Sequence, residues 1–197
     1  MYPAFLMEIY LIRHTTPNIA KGICYGQTDL DVTENFKREA AAIMSYLPAN
    51  IQAVYCSPLK RCQKLAAELF LEHTIQFHKE FMELDFGHWE MQAWNDIPET
   101  DIEPWMKDFV NRQVSGGESY IELYQRVIHR FLWTIQQTQS SVIIAHSGVL
   151  RCIVSYITHT PLRESFDTFY FQYGCVIKLA QKGNDFTYEI LYNSKRK

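Results

Sequence analysis

The sequence predicts an α/β fold, a three-layer α/β/α sandwich around a mostly parallel central sheet, and three observations carry that expectation. Short apolar runs alternate with helical patterns along the chain. The strongest of these runs, Val142–Ala145, is apolar at every position, as suits a strand covered on both faces. Near the end of the chain the turn-forming "QKGND" separates two further runs, which closes them into an antiparallel hairpin at the margin of the sheet.

The elements follow in order. Glu8–Ile12 reads as the first strand, and Thr33–Leu47 as a helix whose apolar Phe36, Ala40, Ile43 and Leu47 recur at three- and four-residue steps. Ala53–Cys56 is the second strand. "SPLKR" opens a helix, with Ser57 as its N-cap and Pro58 at its first position. Ile75–His78 is a third strand, and Trp94–Val114 is helical in part. Gly116-Gly117 is a turn into a helix at Ser119, where Ser119 and Glu122 form a capping-box pattern. One face of that helix carries Tyr120, Tyr124, Val127, Phe131 and Ile135. Val142–Ala145 is followed by a helix from Ser147-Gly148, and Cys175–Ala180 and Phe186–Tyr192 form the closing hairpin. At 197 residues the chain suits a single domain spanning 1–197. Met7 is an alternative start that would make residues 1–6 an N-terminal extension.

Composition removes several function classes. A formal net charge of −3 disfavours a nucleic-acid binder, which carries a basic excess. No apolar stretch approaches the ~18 residues of a membrane span. The opening "MYPAFLMEIYLIR" lacks the basic region and cleavage site of a signal peptide. Five scattered cysteines without a CxxC pair suit reduced, inert thiols and a cytoplasmic location.

Ligands of parallel sheets bind outside the carboxyl ends of the strands. There this chain places Arg13-His14 after the first strand and His146 after the most apolar one. Arg61 falls in the opening turn of the second helix, and Glu83 follows the third strand before a glycine-containing loop. Arginine forks match phosphate oxygens, helix N-termini favour anions, and a histidine can attack phosphorus or move a proton. Taken singly, each of these residues is ordinary; together, at strand ends where a histidine costs free energy to bury, they fit phosphoryl transfer. The seven histidines show no HxH, HExxH or HxxxD spacing, so no metal or other cofactor is expected. There is no GxxxxGK[ST] loop and no GxSxG elbow.

In sequence, "LIRHTTP", "CYGQTD", "YCSPLKRCQKLA", "ELDFGHWE", "GGES" and "IIAHSGVLR" resemble the successive motifs of the histidine phosphatase superfamily, the phosphoglycerate-mutase-like proteins. The resemblance implies a metal-free phosphatase in which His14 is transiently phosphorylated and Arg13 and Arg61 hold the phosphoryl oxygens. His146 completes the pocket and Glu83 donates the proton to the leaving oxygen. Gln27, Thr28, Ser57 and Ser147 lie within the matching motifs and are expected to line the pocket, with Tyr25 in its wall and Asn18 at the place of a downstream asparagine. His88, Trp89, Trp94 and Trp105 are further candidate walls. The sequence departs from the superfamily pattern at Thr15-Thr16, where Gly-Glu is usual, and at Met91, where glycine is usual. The "RHTTP" start followed by "GICYGQTDLDV" is similar to the α-ribazole phosphatase subgroup, which implies a small phosphate ester as partner. The short connection from Glu83 to Gly117 favours hydrolysis over mutase chemistry. A homodimer is compatible with the composition.

Overall fold

The computed structural model describes residues 7–137, 139–182 and 185–194. Its centre is a six-stranded sheet in the order β3-β2-β4-β1-β5-β6. The strands are β1 (Glu8–Arg13), β2 (Ala53–Cys56), β3 (Ile75–Phe77), β4 (Ser141–Ala145), β5 (Val176–Lys182) and β6 (Asp185–Tyr192). β1 through β4 are mutually parallel, while β5 runs antiparallel to β1 and to β6. The expected N-terminal extension at 1–6 and the Gly183-Asn184 tip of the closing turn lie outside the described residues.

Alternation along the buried strands splits the core into two layers. Ile9, Leu11, Tyr55, Ile143 and Ile177 face α4 (Tyr120–Gln136) and α5 (Ser147–Thr158), meeting Leu123, Val127, Phe131, Val149 and Ile153. Tyr10, Ile12, Val54, Val142 and Ile144 face α1 (Phe36–Met44) and α2 (Lys60–Leu69), meeting Ala40, Ile43, Leu65 and Leu69. This is the expected three-layer sandwich. Between the faces' helices the chain adds α3 (Glu99–Lys107), inside the stretch expected to be partly helical, and α6 (Ser165–Thr168).

Two boundaries differ from expectation. α1 is shorter than Thr33–Leu47: Tyr46 and Leu47 tighten into turns on the carbonyls of Ile43 and Met44, ahead of Pro48, whose ring disfavours helical geometry at the preceding residue. α2 begins at Lys60, so Ser57 is not its N-cap and Pro58 is not its first residue. The Ser57 hydroxyl is engaged elsewhere, and Asp29 from a separate loop accepts the Lys60 N–H at 2.6 Å. The capping box of α4 is present, with Glu122 accepting from the Ser119 N–H at 2.8 Å.

Candidate active site

The strand order brings distant residues together. β4 inserts between β2 and β1, so the carboxyl ends of all three lie side by side. The His14 N–H donates to Ala145 O at 3.0 Å, and the Ser57 N–H donates to Ile144 O at 2.9 Å. The rings of His14 and His146 meet edge to face, 5.1 Å between centroids.

Both histidines are buried. Nδ1 of His14 lies 2.7 Å from Thr15 O. A carbonyl can only accept, so the proton sits on Nδ1 and Nε2 keeps its lone pair. Burial, then the charges of Arg61 and Arg13, hold this imidazole well below its usual pKa. His146 Nε2 shares a hydrogen bond with Ser57 Oγ at 2.8 Å, and its buried Nδ1 has no partner among the described residues. Burial and the neighbouring Arg61, His14 and Arg13 hold His146 low as well.

The two arginines are held by backbone carbonyls. Arg61, fully buried in the first turn of α2, donates from Nη1 to Thr28 O at 2.9 Å and from Nη2 to Gly26 O at 2.6 Å. Arg13 donates from Nη1 to Phe171 O at 2.6 Å. Among the described residues neither has a carboxylate within ion-pair distance, and the Nε of each is buried without a partner. Two such cations beside two neutral imidazoles leave a positive site that an anion would stabilise. Two tyrosines brace it. The Arg13 guanidinium packs on the Tyr173 ring at 3.9 Å and Arg61 faces Tyr25 at 5.5 Å, and the two phenols share a hydrogen bond of 2.6 Å.

Glu83 enters from an irregular segment. Its carboxylate accepts from Leu84 N and from Gly148 N, each at 3.1 Å, at the N-terminal turn of α5. A Cβ on Gly148 would lie 2.3 Å from Glu83 Oε1, so glycine is what admits the acid there. Arg13, His14, Tyr25 and Glu83 all line one cavity, which continues along Phe86, Trp94, Arg151, Phe166 and Tyr173.

Several expected pocket residues sit elsewhere. Asn18 is exposed in a separate groove with Val32 and Asn35, because its N–H is drawn to Asp31 O at 2.8 Å. Gln27 and Thr28 stand behind the cavity. Their N–H groups are taken by Glu90 at 2.7 and 2.8 Å, and Gln27 Nε2 donates to Glu83 O at 3.1 Å. Ser57 lies beneath His146, and Ser147 is buried with its hydroxyl unpartnered among the described residues. Arg61 and His146 are likewise fully buried and are not among the residues lining the cavity. Of the aromatic candidates, Tyr25 and Trp94 reach the cavity. Trp89 and Trp105 pack with Cys24, Ile97 and Val114, and His88 turns to Ser115 at 3.3 Å.

Sequence reasoning missed Tyr173, Arg151, Glu90 and Arg126. Arg151 ends the quoted "AHSGVLR" and Glu90 ends "ELDFGHWE", so proximity to motifs could have flagged them; Tyr173 carries no such signal. All five cysteines are free and buried, and burial pushes the thiols of Cys24, Cys62 and Cys175 up to about 12, which leaves them poor nucleophiles. Among the described residues no group of three or more His, Cys, Asp or Glu side chains could hold a metal ion, and no helix is long and apolar enough to cross a membrane.

Residues 9–194 match the histidine phosphatase superfamily (branch 1). The adenosylcobalamin/alpha-ribazole phosphatase of Escherichia coli K12 is 29% identical over 189 residues, covering 89% of this chain and 92% of that protein. Phosphoserine phosphatase 1 of Hydrogenobacter thermophilus is 24% identical over 180 residues, covering 86% and 82%. The crystal structure of the alpha-ribazole phosphatase from Shigella flexneri shares the fold, with a TM-score of 0.86 at 24% identity over 95% of this chain and 96% of that one.

Proposed function

Because this chain belongs to the histidine phosphatase superfamily, we propose that it is a metal-independent phosphomonoesterase working through a phosphohistidine on His14. One observation carries the reading: an imidazole with its Nδ1 proton pinned to Thr15 O and its pKa held low stands beside two arginines that, among the described residues, have no carboxylate partner. Nε2 of His14 attacks phosphorus, and the bond to the leaving oxygen breaks. Arg13 and Arg61 hold the non-bridging oxygens, and His146 stands at the same phosphoryl group. A loose phosphoryl transition state asks mainly for positioning and charge stabilisation, which these groups supply without a metal.

Glu83 lies in the same cavity and gives its proton to the leaving alkoxide. As a carboxylate it then takes a proton from water, whose oxygen attacks the phosphohistidine. The products are inorganic phosphate, free His14 and a reprotonated Glu83. The short connection from Glu83 to the start of α4 leaves little chain to exclude that water, which favours hydrolysis over mutase chemistry.

For the substrate, the aromatic wall of Tyr25, Phe86, Trp94 and Phe166 suits a leaving group with a flat base, and two curated relatives carry the name adenosylcobalamin/alpha-ribazole phosphatase. We therefore assign α-ribazole 5′-phosphate as the leading substrate, in the assembly of the cobalamin nucleotide loop. Arg151 in the same cavity supports a second class, esters whose leaving group bears a carboxylate, such as phosphoglycerate or phosphoserine.

The test is phosphate release with EDTA present from α-ribazole 5′-phosphate, 3-phosphoglycerate and an aryl phosphate, with His14→Ala alongside. Preference for the ribazole ester, acid-labile label on the wild-type protein and none on the variant are the expected results. Turnover that survives in His14→Ala would remove the phosphohistidine mechanism. Preference for 3-phosphoglycerate would move the assignment to the second class.

A further inference from the structure

We infer that Arg126 is the positioning residue for the Glu83 acid, an inference that rests on the phosphatase reading above. Glu83 belongs to neither helix nor strand, and residues 83–86 have no regular secondary structure to orient them. An acid that must meet a leaving oxygen within hydrogen-bond reach needs a rigid mount, and irregular backbone does not supply one by itself.

Arg126, in the second turn of α4, supplies the mount. Nη1 donates to Glu80 O and to Met82 O, both at 2.8 Å, and Nη2 donates to Glu83 O at 2.9 Å. The remaining donors go to one carboxylate: Nε reaches Glu118 Oε2 at 2.9 Å and Nη2 reaches Glu118 Oε1 at 2.5 Å. All five N–H donors of the guanidinium are thus engaged, three of these bonds falling on the carbonyls of Glu80, Met82 and Glu83 itself. Glu118 extends the frame. Its Oε1 accepts from Asp85 N at 3.0 Å, and its own N–H donates to Asp85 O at 3.0 Å. The Arg126–Glu118 pair does for residues 80–85 what a neighbouring strand does for a ladder, on both sides of the acid. With every donor engaged on this frame, Arg126 has none left for the substrate and acts through Glu83.

A fork of five donors cannot be reproduced by the three donors of a lysine ammonium, which places Arg126→Lys between wild type and Arg126→Ala. Because Glu83 protonates the leaving oxygen, its misplacement is felt only where that oxygen needs the proton. A good leaving group such as dinitrophenolate departs without it.

The experiment measures kcat/KM on 2,4-dinitrophenyl phosphate and on an alkyl phosphate for wild type, Glu83→Gln, Arg126→Lys and Arg126→Ala. The expected result is a loss of about 10²-fold on the alkyl ester for Arg126→Ala, in the range of a lost general acid, with less than about 3-fold on the dinitrophenyl ester. Glu83→Gln shows the same pattern, and Arg126→Lys an intermediate loss. Equal losses on both esters in Arg126→Lys, with its thermal unfolding unchanged, would overturn the positioning role while leaving the phosphatase reading intact. No turnover of either ester by the wild type would overturn both. Should Arg126→Ala fail to fold, the lysine variant carries the comparison.

Discussion

On one side of the cavity, Arg13, His14 and His146 ride the ends of adjacent buried strands, with Arg61 fixed beneath them in the first turn of a helix. On the other side, Tyr25, Phe86, Trp94 and Phe166 come from loops, a 3-10 turn and the four-residue α6. His14, His146 and Arg61 are buried and Arg13 half-buried, whereas Phe166 is 41% exposed. The difference teaches where each property of such a site is kept. On the proposed function, the atoms that would meet one phosphorus are mounted where neighbouring strands fix the backbone, and the surfaces that would select the leaving group sit where exchange disturbs little else. Glu83 falls between the two, on irregular chain that borrows its rigidity from Arg126.

The largest effect should break the histidine side for every substrate alike. Arg61→Ala removes a preorganised donor and is expected to cost about 3–4 kcal/mol of transition-state stabilisation. That loss should appear equally in kcat/KM on ribazole, glycerate and aryl esters. A loss confined to one ester would move Arg61 to the selective side.

Next comes pH. Both buried histidines are held neutral with lowered pKa values, so the unfolded chain binds more protons than the folded one once pH falls below about 6.5. Stability is full above that value and declines on acidification toward the folded-state pKa values, by up to about 1.4 kcal/mol per pH unit for each histidine. Urea unfolding at pH 7, 6 and 5 reads the slope, and His14→Asn should reduce it. A midpoint that stays constant over this range would contradict the buried, neutral state.

On the aromatic side, Trp94→Ala should raise KM for esters with an aromatic leaving group, by about 0.5–1.5 kcal/mol. It should leave kcat and the KM of an alkyl ester close to wild type. Equal changes for aromatic and alkyl esters would mean that the tryptophan shapes the fold rather than the selectivity.

The smallest effect concerns Met91, which occupies left-handed backbone at φ 67° and is 51% exposed. A side chain in that conformation costs about 1–2 kcal/mol, partly offset by the greater unfolded-state freedom of glycine. Met91→Gly is therefore expected to stabilise the chain by up to about 1 kcal/mol, a shift of about 2–4 °C in Tm, with unchanged turnover. A lower Tm would show that the Met91 side chain contributes packing that its exposure does not suggest.

The α/β fold class and its strands were legible because fully covered strands announce themselves as unbroken apolar runs, as Val142–Ala145 does. The Ser119 cap was legible because the reciprocal Ser119–Glu122 pattern is local. The start of α2 was not: the Lys60 N–H there is taken by Asp29, far away in sequence, and the serine at the expected position is engaged by His146. For the same reason Gln27 and Thr28 read as pocket residues but stand behind it, their donors drawn to Glu90.

By itself the sequence determined which residue types stand at which strand ends, and with them the phosphoryl chemistry to expect, because local periodicity and residue identity are written in the chain. Only the tertiary structure decided that β4 lies between β1 and β2, which puts His14 against His146 and leaves two arginines without a carboxylate among the described residues. It likewise decided that Tyr173 braces Arg13 and that Arg126 frames Glu83. Those pairings depend on which distant segments compete for the same donor or the same space, and that competition is resolved only when the whole core has packed.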